Sequence, residues 1–345
     1  MQPQLEHNGG DYRVVFNPEA KRVLTVNLLH TFPHTSVVTC VRISRDGKYL
    51  ATGCNRTTQI YDLATGHKIC TLEDESVRRT GDLYIRCVCF SPDGKYLATG
   101  AEDGLIRIWD ISRRRIWRTL HSQQNAVYSV VFSHDGKVVV AGSERTMRSW
   151  DLIEPSNNKV FAIDEYGKTT TDPDNGITSI DISPNGHLVA AGSLDASVRI
   201  WDLATGQLLG RLCGHKDSVY SVRLTPDGRG LISGSFDTTM KHWNIPTATS
   251  AGEHRGIDRC TMSFEGHTKF VLTVAVSPDG QWVASGSKDC SVMLWDAQTA
   301  TRQCTLISGH NSVISVDFSP TAPMLATGSG DKQARVWSYS PYNGP

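Results

Sequence analysis

Seven times along this chain an aromatic residue is followed by a polar one: Tyr61-Asp62, Trp109-Asp110, Trp150-Asp151, Trp201-Asp202, Trp243-Asn244, Trp295-Asp296 and Trp337-Ser338, at separations of 41 to 52 residues. Such a period marks a repeated supersecondary unit that buries its apolar face only by stacking on its neighbours. About 18 residues before most of these aromatics stands a Pro-Asp-Gly turn, as at Pro92-Asp93-Gly94, Pro226-Asp227-Gly228 and Pro278-Asp279-Gly280, with variants Arg45-Asp46-Gly47, His134-Asp135-Gly136 and Pro184-Asn185-Gly186. Each unit therefore carries its own hairpin signal.

The fifth unit reads most clearly. Ser218 to Leu224, Gly230 to Ser235 and Thr239 to Trp243 are short, rich in β-branched and aromatic residues, and separated by turns, and no window sustains helical spacing of apolar residues for three turns. A fourth strand follows the aromatic after another turn, as in Trp201-Asp202-Leu203-Ala204-Thr205-Gly206 leading into Gln207 to Leu212. Four strands per unit at this period predict an all-β, seven-bladed β-propeller. The expected blades span roughly 34–72, 82–120, 124–163, 174–212, 215–264, 267–306 and 310–339, after a leader over 1–21. The seventh unit lacks its fourth strand, and residues 22–29 have no blade of their own. They are expected to complete the last blade and close the ring, so that 22–340 forms the propeller and no open end invites aggregation.

At this length roughly 75% of the unfolded surface can be buried, so neither disulfide nor metal is needed. The nine cysteines are odd in number and scattered without Cys-x-x-Cys, which fits a reducing compartment. No signal peptide or membrane-spanning run is visible. Lys plus Arg equals Asp plus Glu, 35 each, so no global field draws the chain to nucleic acid or an anionic membrane. The basic run Arg113-Arg114-Arg115 with Arg118 is read as a solvated turn, with an acidic partner as the alternative. Three polar insertions, Glu73 to Gly81, Glu154 to Asn175 and Pro246 to Ser263, are read as surface loops between a third strand and the next blade.

Units five to seven repeat four residue types in register: His215, Ser233, Asp237, Trp243; His267, Ser285, Asp289, Trp295; and His310, Thr327, Asp331, Trp337. A Ser-His-Asp nucleophile is needed once, beside an oxyanion hole, whereas threefold repetition suits a structural relay of mutually satisfied buried groups. The other units are incomplete: the second keeps Thr99, Asp103 and Trp109, the fourth keeps Asp195 and Trp201 with Ala191 at the Ser position, and the first and third carry Asn55 and Glu144 at the Asp position. No enzyme activity, metal site or cofactor is expected.

A propeller exposes a top rim built from the loops entering each innermost strand and those joining the second and third strands. In the recurring Val-x-Ser-Val pattern the variable residue is Thr39, Arg86, Tyr128, Thr178, Tyr220, Leu272 or Ile314. Tyr84, Asp217, Lys269, Phe270 and Asn311 stand beside them, with Glu102, Leu194, Phe236 and Lys288 on the second loops. Of these, Tyr84, Arg86, Glu102, Tyr128, Tyr220, Leu272, Lys288 and Asn311 form the candidate partner-binding face, because aromatic, aliphatic and charged residues on one loop-built surface suit a short peptide. The alternative is that the apolar members merely line the channel mouth.

The Gly-His, Trp-Asp and Asp-to-Trp spacings over residues 34 to 337 resemble the WD-repeat family. Within it, the stretches 53–59, 82–90, 214–222 and 311–316 and the leader 11–18 are similar to the propeller of fungal Tup-type general transcriptional corepressors, relatives of the animal Groucho type. That resemblance implies a nuclear scaffold recruited by DNA-binding repressors, with peptides held on the top face. It also implies a tetratricopeptide-repeat corepressor subunit and histones as partners of regions other than this propeller, which is itself expected to be monomeric and to contact no nucleic acid directly. The alternative is another WD-repeat adaptor, such as a ubiquitin-ligase substrate receptor or a signalling scaffold.

Overall fold

The computed structural model describes residues 5–6, 12–77, 81–122, 126–143, 146–161, 176–245 and 260–342. Its strands form seven antiparallel sheets in chain order, each with four blade strands. Blade two is typical: Ile85–Phe90 is innermost, followed outward by Tyr96–Ala101, Leu105–Asp110 and Arg115–His121. The other innermost strands are Cys40–Ile43, Val127–Phe132, Ile177–Ile182, Val219–Leu224, Val271–Val276 and Val313–Phe318.

Leu24–Pro33 pairs with Gln333–Pro341 as the outer strand of blade seven, longer than the 22–29 read from the sequence. The ring is sealed at blade one, where Val38 N–H donates to Ser329 O at 3.1 Å. The leader also pairs: Tyr12–Phe16 adds to the outer strand of blade six (Arg302–Ser308), and Leu5–Glu6 adds beyond it. Val14 and Phe16 are buried there, and the Tyr12 ring meets Trp337 edge-on at 5.3 Å. One N-terminal segment thus fastens blades six and seven together.

Two of the three insertions hold an outer strand, correcting their reading as loops. Lys159–Phe161 completes blade three and Cys260–Phe264 completes blade five. Phe161 and Phe264 anchor these strands, each fully buried against the Trp of the next blade, Trp201 and Trp295. Residues 78–80, 144–145, 162–175 and 246–259 lie outside the described residues, and Glu144 with them.

The core consists of wedges between neighbouring sheets. Seven clusters of buried apolar side chains each draw on two adjacent blades, including one that joins blade seven to blade one through Ala326, Val336, Val38 and Leu50. Tight approach between blades demands a residue without Cβ on the second strand. A Cβ on Gly234 would stand 2.7 Å from Val271 of the next blade, and one on Gly328 would stand 2.9 Å from Val38.

Hairpin chemistry explains the Asp-Gly turns. In blade two, Ser91 Oγ donates to Asp93 Oδ1 at 2.6 Å, the Lys95 amide donates to the same oxygen at 3.1 Å, and Gly94 takes φ +70°. That left-handed backbone favours glycine. In blade seven the turn runs Ser319-Pro320-Thr321 without an Asp, and the buried Ser319 hydroxyl has no hydrogen-bond partner among the described residues.

Candidate interaction face

In blades two, four, five and six the two loop sets meet on one rim. The first residue after the second strand donates its amide to the loop that enters the innermost strand. Glu102 N–H reaches Tyr84 O at 3.2 Å, Leu194 reaches Gly176 at 3.0 Å, Phe236 reaches Ser218 at 3.0 Å and Lys288 reaches Phe270 at 2.9 Å. The next residue that matters on this rim is a bulge. In blades two to seven the register slips by one at Arg86, Tyr128, Thr178, Tyr220, Leu272 and Ile314, the variable positions of the Val-x-Ser-Val pattern. A bulge inserts an unpaired residue and re-aims its side chain, and all six line the central channel together with Thr39 of blade one.

On blade two, Arg86 forms an ion pair with Glu102 and lies 5.6 Å over the Tyr84 ring, while Glu102 also accepts the Tyr84 amide at 3.1 Å. Tyr84, Arg86 and Glu102 are thus one interlocked unit. On blades five and six, Tyr220 stacks on Phe236 at 4.9 Å, Phe236 stacks on Phe270 at 4.5 Å, and Lys288 Nζ caps Phe270 at 5.1 Å. This ladder runs outward from the channel mouth across a blade junction. Its middle ring, Phe236, is not among the eight selected candidates, although both phenylalanines stand beside those positions in the sequence. Tyr128 and Leu272 line the mouth as well. Asn311 is exposed, but its amide is spent locally, accepting from Ser312 N–H at 2.8 Å and donating to Gly330 O at 3.2 Å.

Beneath the bulges lies a ring of hydroxyl groups bridging neighbouring blades. Ser315 Oγ accepts the Val41 amide at 3.0 Å, Ser129 accepts Ile180 at 2.9 Å, Ser179 accepts Val222 at 3.2 Å, Ser221 accepts Val274 at 3.0 Å and Thr273 accepts Val316 at 3.1 Å. Blades one and two carry Cys40 and Cys87 at this position, and each thiol faces a carbonyl of the next blade, Ile85 O at 3.5 Å and Val127 O at 3.7 Å. Burial pushes the Cys40 thiol up to about 12 and raises Cys87 as well, so both remain protonated donors.

The relay closes in blades five and six. His215 Nδ1 lies 2.7 Å from Asp237 and its Nε2 lies 2.7 Å from Ser233 Oγ, which accepts the Trp243 indole N–H at 2.7 Å. His267, Asp289, Ser285 and Trp295 repeat the chain at 2.8, 2.7 and 2.9 Å. Ser233 and Ser285 are fully buried and hold an indole, so no acyl group can reach either hydroxyl and the set cannot act as a nucleophile triad. Burial alone would raise the two Asp carboxyls, but hydrogen bonds from the histidines and from the Lys216 and Thr268 amides hold them well below the ordinary carboxylate range.

The seventh set does not close, contrary to the sequence reading. Trp337 donates to Thr327 at 3.1 Å, but His310 is exposed and Asp331 is held by Arg335 at 2.8 Å. The cause is an arginine four residues after the Asp. It recurs as Asp103 with Arg107 at 2.7 Å and Asp195 with Arg199 at 2.5 Å, whereas the relay blades have Lys241 and Met293 there. A charged guanidinium makes a stronger hydrogen bond to a carboxylate than a neutral donor does, so the Asp takes the arginine where one is offered. Blade one has a third arrangement, His34 Nε2 with Thr52 Oγ1 at 2.8 Å.

The basic run makes two cross-blade contacts and one within its own blade. Arg114 reaches Ile69 O of blade one at 3.2 Å, Arg118 reaches Leu152 O of blade three at 2.9 Å, and Arg113 pairs with Asp110 at 2.8 Å.

Residues 26–62, 74–110, 115–151, 165–202, 206–244, 258–296 and 301–338 match the family model described as WD domain, G-beta repeat. The transcriptional repressor rco-1 of Neurospora crassa is 53% identical over 96% of this chain and 55% of its own length. The general transcriptional corepressor TUP1 of Saccharomyces cerevisiae is 38% identical over 97% of this chain and 55% of its own. The protein groucho of Drosophila melanogaster is 30% identical over 90% of this chain and 40% of its own. The chain spans about half the length of the first two.

Proposed function

Because this chain belongs to the WD-repeat family and resembles transcriptional repressors and corepressors along nearly all of its length, we propose that it is a non-enzymatic corepressor scaffold acting in the nucleus. Its top rim holds short peptides of DNA-bound repressors. The carrying observation is the pair of preassembled units on that rim, the Tyr84–Arg86–Glu102 cluster and the Tyr220–Phe236–Phe270 ladder, on either side of one channel mouth. Rings already stacked and a guanidinium already oriented lose little entropy when a ligand arrives. Aromatic and arginine anchors of this kind dominate peptide affinity. The tetratricopeptide-repeat subunit and histones belong, on this reading, to segments other than the rim, and the propeller over 22–340 acts as a monomer.

A micromolar complex has about 8 kcal/mol of binding free energy, and truncating one anchor removes roughly 2 kcal/mol, or about 30-fold. The test compares nuclear-extract pulldowns by the wild type and by a Tyr84→Ala, Tyr220→Ala double variant. Loss of DNA-binding repressors supports the proposal. Retention of repressors with loss of ubiquitin-ligase subunits moves the chain to the adaptor reading.

A further inference from the structure

We infer that the central channel is a binding site for a small oxyanion, of the size and charge of inorganic phosphate, held between Arg42, Arg86 and Arg223 and the hydroxyl ring. This inference is independent of which peptide the rim takes.

A cavity of about 120 Å³ opens at the channel mouth, and its lining holds three arginines, Arg42, Arg86 and Arg223, and no carboxylate. At roughly 10–15 Å³ of such space per water, a five-atom oxyanion fits with room to spare. The arginines are unequally engaged. Arg42 pairs with Asp317 at 3.1 Å, and Arg86 pairs with Glu102 but leaves its buried Nε–H without an acceptor among the described residues. The Arg223 side chain makes no ion pair or hydrogen bond among the described residues, although Asp181 and Asp317 act on it through space. Asp181, on the preceding blade, accepts the Leu224 amide at 2.8 Å.

Burial, and after it the neighbouring Arg42 charge, lower the Arg223 pKa, while Asp181 and Asp317 act in the opposite direction. The hydroxyls complete the set. Ser129, Ser179, Ser221, Thr273 and Ser315 each spend a lone pair on the next blade's amide, which leaves each O–H as a donor on the channel wall. Guanidinium N–H groups and hydroxyl donors around a restricted space are the complement of an oxyanion. Asp181 and Asp317 lie behind the wall and weaken the field, so millimolar affinity is expected rather than nanomolar.

The experiment is a titration of inorganic phosphate against the intact chain at constant ionic strength balanced with chloride, read by the 31P line width and by thermal melting. A single saturable site is expected, with the melting temperature raised by about 2 °C at on the order of 20 mM phosphate. Arg223→Gln should weaken binding at least tenfold, while Lys48→Gln on the opposite face should not change it. Should Arg223→Gln fail to fold, Arg86→Gln carries the same expectation. A second arm titrates a capped Gly-Glu-Gly peptide. Displacement of phosphate at lower concentration than phosphate itself requires assigns the site to a partner's carboxylate, and weaker displacement assigns it to the free anion. No saturable phosphate or peptide binding by the wild type, or unaltered binding by folded Arg223→Gln, overturns the inference.

Discussion

Replacing Ser233 by alanine removes one oxygen and leaves two buried groups without a partner. In the relay the Trp243 indole donates to Ser233 Oγ at 2.7 Å, and the same hydroxyl serves His215 Nε2 at 2.7 Å. Ser233 is 0% exposed, Trp243 1% and His215 8%, and the space freed by one hydroxyl is too small for a water. Each orphaned buried group costs about 1–3 kcal/mol, so the pair costs about 2–6 kcal/mol, of which roughly 3 kcal/mol is a value in the lower half. At about 2.1 cal/mol/K of unfolding entropy per residue, this 345-residue chain loses on the order of 4 °C in Tm. Ser233→Thr keeps the oxygen, and threonine occupies the equivalent position at Thr52, Thr99 and Thr327, so it should melt within about 1 °C of wild type. Calorimetry of both variants under reversible conditions provides the measurement. Equal losses for alanine and threonine, or a loss below 1 °C for alanine, would refute the relay as a source of stability.

The N-terminal segment should act in two steps. Removing residues 1–17 strips Val14 and Phe16 from blade six, and at about 1.5–3 kcal/mol for each buried side chain it should lower Tm by several degrees while leaving a soluble ring. Removing residues 1–33 should abolish soluble expression, because blade seven then lacks its outer strand; soluble protein with unchanged melting would refute the closure. Acid should probe the carboxylates. Asp237 and Asp289 have folded pKa values below their unfolded ones, so their stabilisation is complete above about pH 4 and is lost as pH falls further. An Asp237→Asn, Asp289→Asn double variant should therefore show a flatter Tm profile between about pH 5 and pH 2 than the wild type, and parallel profiles would refute the assignment.

Spacing and turn chemistry, set by the single strand, made the propeller and its closing strand legible in the sequence. The outer strands inside the insertions were hidden because Lys159–Phe161 is only three residues long, and only packing against Trp201 reveals that its phenylalanine is an anchor. Tyr12–Phe16 was hidden for a related reason, since an edge strand acquires its role from whichever edge is left to receive it. The failure of His310 was legible after all. Asp331 and Arg335 stand at the spacing of Asp103 and Arg107, and the recurrence of four residue types in register does not reveal that the arginine competes for the Asp. On the rim, the Val-x-Ser-Val pattern located the candidate positions, yet that the variable residue is a bulge depends on how two strands of one blade register, and that serine ties two blades depends on the neighbouring unit.

Leu24–Pro33 and Gln333–Pro341 are separated by roughly 300 residues of chain, which a ribosome takes about 15 to 60 s to supply. During that interval Leu24–Pro33 lacks its partner strand, and the growing arc presents an unsatisfied sheet edge to the cell. Translation time is therefore the period of greatest exposure for this molecule, and a chaperone that shields one β-edge until the final blade emerges would serve it better than any change to its finished core.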